Sequence, residues 1–143
     1  MKTEPELSTL ILRLTLGLVM FPHGAQKMLG WFGGGGLSGT IEAMTGMGLP
    51  LVVVLLVISG EFFGAIGLIV GCLSRVAAGG LVIIMVGAAF LHIENGFFMN
   101  WFGAQEGEGY EYHLLAIGIA LAIVIKGSGA LSIDRWVTER STR

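Results

Sequence analysis

Glu61 is the only charged residue in the apolar stretch 51–71, and it stands near the middle. An ionised carboxylate at that depth in hydrocarbon costs roughly 3 kcal/mol on insertion scales, so it must be protonated, paired or wetted. Two groups can meet it. Arg13 lies about two turns inside the other end of the first apolar stretch, and a rise of 1.5 Å per residue leaves an Arg13–Glu61 structural pair geometrically open. At the opposite end, His23, Gln26 and Lys27 fall at i, i+3 and i+4 on one helical face. His92 closes a later apolar stretch and His113 opens the next, which brings all three histidines to one end of the molecule, with Glu94 and Glu111 beside them. Imidazoles and a carboxylate at one level can relay protons and hydrogen-bond a polar ligand.

Metal and haem chemistry are weakly supported. No H-E-x-x-H or paired His-x-x-His spacing occurs, so no metal ligand is assigned. Cys72 is the sole cysteine, which excludes an internal disulfide, C-x-x-C exchange and a covalent haem held by C-x-x-C-H. Bis-histidine haem through His23 and His92 has only the two imidazoles in its favour.

The solvent that positions these residues follows from composition. Of 143 residues, 54% are hydrophobic and 13% charged, and the mean hydropathy of +0.82 lies outside the range of a soluble domain. The expected fold is all-α, a single-domain integral membrane bundle of four transmembrane helices over 1–143. The spans are about 7–28, 51–71, 76–92 and 112–125, each near the roughly 20 residues a bilayer requires. A secretory signal is the rival reading of the first span, but Arg13 breaks its apolar core and no A-x-A-like site follows Phe21. A net charge of −2 with no basic stripe excludes nucleic acid as a partner.

Basic residues are segregated. Lys2, Arg75, Lys126, Arg135, Arg140 and Arg143 fall on one side of these spans, whereas the loops 29–50 and 93–111 face Lys27 with five glutamates, Glu42, Glu94, Glu106, Glu108 and Glu111. The positive-inside rule makes both termini cytoplasmic and both long loops external. Trp31, Trp101, Trp136, Tyr110 and Tyr112 are expected to anchor helix ends at the headgroups.

Small residues write the helix contacts: Gly60, Gly64, Gly67 and Gly71 on the second span, Gly17 and Gly24 on the first. They predict a compact bundle or, equally, a homo-oligomer face. The glycine-rich run 30–37 lacks the K-[ST] of a phosphate loop and instead allows a tight return. Ser38 or Thr40 then caps a short surface helix through Ile41, Met44 and Met47. The pairs Trp31-Phe32-Gly33 with Trp101-Phe102-Gly103, and Leu73-Ser74 with Leu131-Ser132, hint at a duplicated hairpin.

His23-Gly24-Ala25-Gln26-Lys27, the run Phe32 to Thr40, Glu61-Phe62-Phe63-Gly64, His92 with Gly96-Phe97-Phe98, and Gly109-Tyr110-Glu111-Tyr112 together resemble the DoxX family over about Leu7 to Asp134. The resemblance implies a small four-helix protein of the bacterial or archaeal cell (inner) membrane. It also implies a link to quinone-coupled sulfur oxidation and to thiol or oxidative-stress systems. On that basis quinone is the expected cofactor, with Glu61, His23 and His92 as the reactive and proton-relaying groups. Gln26, Lys27, Trp31, Phe97, Glu111 and His113 would line the pocket. Since no residue can hold the electrons, a protein partner must carry the redox centre. The competing reading is a non-catalytic membrane scaffold or a small-solute permease with a polar track through Arg13, Glu61 and His23.

Overall fold

The computed structural model describes residues 5–141, with the side chains of 5 and 6 excepted. Lys2 and Arg143, two of the basic residues used to orient the chain, lie outside that range. Six helices follow one another among the described residues, with no strand: α1 (Pro5–Leu29), α2 (Gly36–Gly46), α3 (Leu51–Val70), α4 (Ser74–His92), α5 (Glu111–Lys126) and α6 (Ile133–Ser141).

Local signals account for most of the boundaries. Pro50, extended at φ −59° and ψ 140°, starts α3. Gly71 ends it in the left-handed region at φ 72°, where the N–H groups of Gly71 and Cys72 both bond to Gly67 O. The short surface helix falls where expected, but it is capped by the backbone of Gly35. Thr40 instead donates to Lys27 O at 3.3 Å, tying α2 to the end of α1.

Three helical stretches, Leu7–Leu29, Leu51–Val70 and Ser74–Asn95, are long and apolar enough to cross a bilayer. The fourth expected span, α5, has 16 residues, about 24 Å of helix against a hydrocarbon core of about 30 Å. It packs on α1 and α4 as a member of the bundle. Exposed side chains such as Val52, Leu56, Phe63, Val76, Ile83, Phe90, Leu115 and Ile125 form apolar faces that water would not tolerate at this density. A lipid bilayer is therefore the partner of the outer surface.

The core between the helices is built from Leu16, Met20, Ala65, Leu68, Ala78, Leu81, Met85, Ala116, Ala120 and Ile123. Alanine at four of these positions, with glycine at the seams, lets backbones approach where lipid gives no hydrophobic drive. A methyl group on Gly24 would stand 2.6 Å from Phe62 Cα, and one on Gly17 would stand 2.9 Å from Ile69 Cγ1. These two contacts fix the antiparallel register of α1 on α3. The seam glycines are thus consumed within the chain, Gly60 against Ile84 of α4 included. The hairpin echo has a conformational counterpart, since Leu73 and Leu131 both adopt a left-handed backbone (φ 51° and 49°) before a serine.

Candidate functional site

Register decides what Glu61 meets. With Gly24 seated on the backbone of Glu61 and Phe62, the residue one turn further along α1 reaches the carboxylate. That residue is Lys27, whose Nζ donates to Glu61 Oε2 at 2.5 Å. The glutamate side chain is 6% exposed and the lysine 27%, so the pair is rooted in the bundle with its cationic end toward solvent. The expected Arg13–Glu61 pair is therefore absent: the distance along α1 from Arg13 to Gly24 alone is about 16 Å.

Arg13 is saturated elsewhere. It is fully buried, and its five N–H donors all find backbone carbonyls. Nε donates to Ser128 O (3.0 Å). Nη1 donates to Leu68 O (2.5 Å) and Ile69 O (2.8 Å). Nη2 donates to Ala130 O (3.2 Å) and Leu131 O (3.0 Å). The acceptors are the last carbonyls of α3, which a helix end leaves without intrahelical partners, and the turn between α5 and α6.

Beside the Lys27–Glu61 pair runs a row of rings. His23 and Tyr112 stand with centroids 5.9 Å apart, Tyr112 and His113 5.6 Å apart, and His113 and His92 stack at 4.9 Å with 27° between planes. Both charges of the pair lie within coulombic reach of His23, and Glu61 within reach of Tyr112. The three histidines do converge, as their positions at helix ends implied. Their link is Tyr112, which the sequence suggested only as an anchor. Its hydroxyl points to Met20 Sδ at 3.2 Å, inside the bundle rather than at the headgroups.

The ring nitrogens differ. His92 Nδ1 lies 3.0 Å from Glu108 O, and since a carbonyl only accepts, that nitrogen carries the hydrogen. His113 is 8% exposed, and its Nδ1 is a buried atom with no hydrogen-bond partner among the described residues; Ser74 Oγ at the other end of the bundle is in the same condition. Buried polar atoms are nearly always satisfied, so an orphan imidazole nitrogen marks a place where a ligand group can bond.

Four other expected pocket residues serve the loops instead. Gln26 donates to Phe32 O at 3.3 Å, and Gly34 lies so close to Gln26 that a Cβ there would stand 2.5 Å from Gln26 Cα, so this glycine is required by the chain's return. Trp31 is exposed and meets only the edge of Phe32 among the ring contacts. Phe97 packs edge-on against Phe98 and Tyr110. Glu111 Oε2 accepts from Met99 N–H at 3.2 Å and holds the loop between α4 and α5. Among the described residues no three His, Cys, Asp or Glu side chains form a group that could hold a metal ion.

On the seam of α4 and α5 an apolar cleft of about 200 Å³ is lined by Val86, Ala89, Phe90, Ile93, Tyr110 and Ile117. His113 falls between Tyr110 and Ile117 in the register of α5. The arrangement thus offers a lipid-side apolar slot, an unpartnered imidazole nitrogen on a residue within one helical turn of its lining, and a row of rings in contact that reaches an ion pair.

Comparison with known proteins gives a consistent setting. The DoxX family model matches residues 8–93, which include Arg13, His23, Lys27, Glu61 and His92. The chain is 29% identical over 132 residues to a protein of Bacillus subtilis (strain 168) named "Putative oxidoreductase CatD", covering 92% of this chain and 88% of the relative. It is 28% identical over 140 residues to the inner membrane protein YqjF of Escherichia coli (strain K12), covering 98% and 99%. No solved structure matches the chain.

Proposed function

The chain belongs to the DoxX family, and from that premise we propose that it is the membrane-embedded, quinone-side subunit of a redox system serving thiol, sulfur or oxidative-stress metabolism. It sits in a bacterial or archaeal cell membrane, with α5 as a short fourth span and both termini cytoplasmic. The observation that carries this reading is the buried, unpartnered Nδ1 of His113 within the row His23, Tyr112, His113, His92. The relative named an oxidoreductase points the same way.

A quinone needs an apolar seat, a hydrogen bond to a carbonyl oxygen and a path for protons. The α4–α5 cleft offers the seat, and His113, within one helical turn of its lining, carries the free donor or acceptor. When bound, the quinone would accept or release two electrons and two protons. The Lys27–Glu61 hydrogen bond closes the solvent-reaching end of the site. His23 and Tyr112 stand between that pair and His113 in ring contact. The two electrons that a bound quinol gives up pass to a partner protein bearing flavin, metal or reactive thiols.

Native mass spectrometry and lipid extraction of gently solubilised protein test the proposal. Co-isolated quinone, with quinol oxidation once the partner is present, is the expected result. A partner protein without any quinone would replace this reading with that of a scaffold.

A further inference from the structure

The opposite end of the bundle holds a second, larger cleft, about 650 Å³, between the first turn of α4, the end of α5 and the inner face of α6. Its wall carries the cations Arg75, Lys126 and Arg135 and the carboxylates Asp134 and Glu139. The carboxylates are already engaged. Asp134 Oδ1 accepts from Leu73 N–H (2.7 Å) and Oδ2 from Ser74 N–H (2.9 Å), capping α4 with both oxygens. Glu139 Oε1 accepts from Arg135 Nε at 2.7 Å.

Two cations are left facing the space. Arg75 makes one long bond, Nη2 to Ile125 O at 3.4 Å, which leaves most of its five donors unused among the described residues. Its guanidinium lies over Gly127, where a Cβ would come within 3.3 Å of both Nε and Nη2, and whose φ of 94° itself favours glycine. Lys126, the last residue of α5, has no ion-pair partner among the described residues. The rim is apolar: Leu73 and Val76 line the cleft and are 64% and 70% exposed. Beside it, α6 exposes Ile133, Trp136 and Val137 at i, i+3 and i+4, the pattern of a helix lying along an interface.

We infer that this cleft binds a phosphate group through Arg75 and Lys126, carried by an anionic phospholipid whose chains run past Leu73 and Val76. Paired cations in a pocket between helices, with an apolar exit toward lipid, match a charged headgroup and its tails together. With both termini cytoplasmic, as proposed above, this lipid belongs to the inner leaflet; the binding chemistry does not depend on that topology.

Delipidated protein in detergent, titrated with phosphatidylglycerol or with phosphatidylcholine of the same chains and read by native mass spectrometry, tests this independently of any quinone. Phosphatidylglycerol should be retained in preference. Arg75→Gln or Lys126→Gln should each weaken retention about fivefold and the double variant about thirtyfold, whereas Arg75→Lys with Lys126→Arg should restore it. Arg140→Gln removes a cation that sits on the Trp136 ring outside the cleft, and it should leave retention unchanged. If millimolar inorganic phosphate displaces the lipid, the phosphate site stands with a free phosphate as its ligand; if it does not, the lipid is the ligand. Equal retention of both lipids, a double variant that binds like the wild type, or an equal loss in Arg140→Gln would overturn the proposal.

Discussion

Each end of the α1–α3 seam holds a charged residue of α1, Arg13 at one and Lys27 at the other, and the two are treated in opposite ways. Arg13 is fully buried and spends every donor on a backbone carbonyl. Lys27 is partly exposed and bonds a single carboxylate, with titratable rings alongside. A cation locked by carbonyls cannot change its protonation without breaking α3 and the α5–α6 turn apart, so it is a fastener. A lysine–glutamate pair beside histidines can exchange a proton while the helices stay where they are. Burial of charge by itself therefore does not mark a site; the kind of partner does.

Removing Arg13 gives the largest expected effect. Arg13→Gln strands several carbonyls in the bundle and should cost about 3 to 5 kcal/mol, read as a fall in the unfolding midpoint in detergent. Arg13→Lys should not rescue it, because an ammonium cannot span carbonyls on two separate elements. A variant as stable as the wild type would erase the contrast between the two ends.

Glu61→Gln should cost far less, about 1 kcal/mol, since Lys27 is exposed enough to turn to water. On the proposed function the same substitution removes the carboxylate that relays protons, so quinol oxidation with the partner should fall at least tenfold. Loss of stability on the scale of Arg13→Gln, with activity unchanged, would make the outer pair a second fastener.

The sequence made the helices legible because hydropathy and glycine spacing act locally. The bounds of α3 and the position of α2 follow from Pro50, Gly71 and the glycine run. Convergence of His23, His92 and His113 was equally readable, as each lies at a helix end on one side. The partner of Glu61 was not, because the choice between Arg13 and Lys27 depends on how far α3 slides along α1, and that is set by the contact of Gly24 with Phe62. The cage around Arg13 was invisible for another reason: its acceptors are main-chain carbonyls, which every residue possesses. The role of Asp134 was hidden likewise, since it caps a helix some 60 residues earlier through backbone N–H groups. Tyr112 looked like a membrane anchor, and only the packing of α5 against α1 turns it inward.

The smallest expected effect on stability carries the most direct test. His113→Phe keeps a flat ring against His92 and removes the buried nitrogen that has no partner among the described residues, so folding should be unchanged or slightly improved. Unfolding midpoint and bound quinone should be measured on the same purified samples of wild type and variant. An unaltered or raised midpoint together with lost quinone is the predicted result. Quinone retained at the wild-type level in a stably folded His113→Phe protein would contradict the assignment of the histidine end as the site.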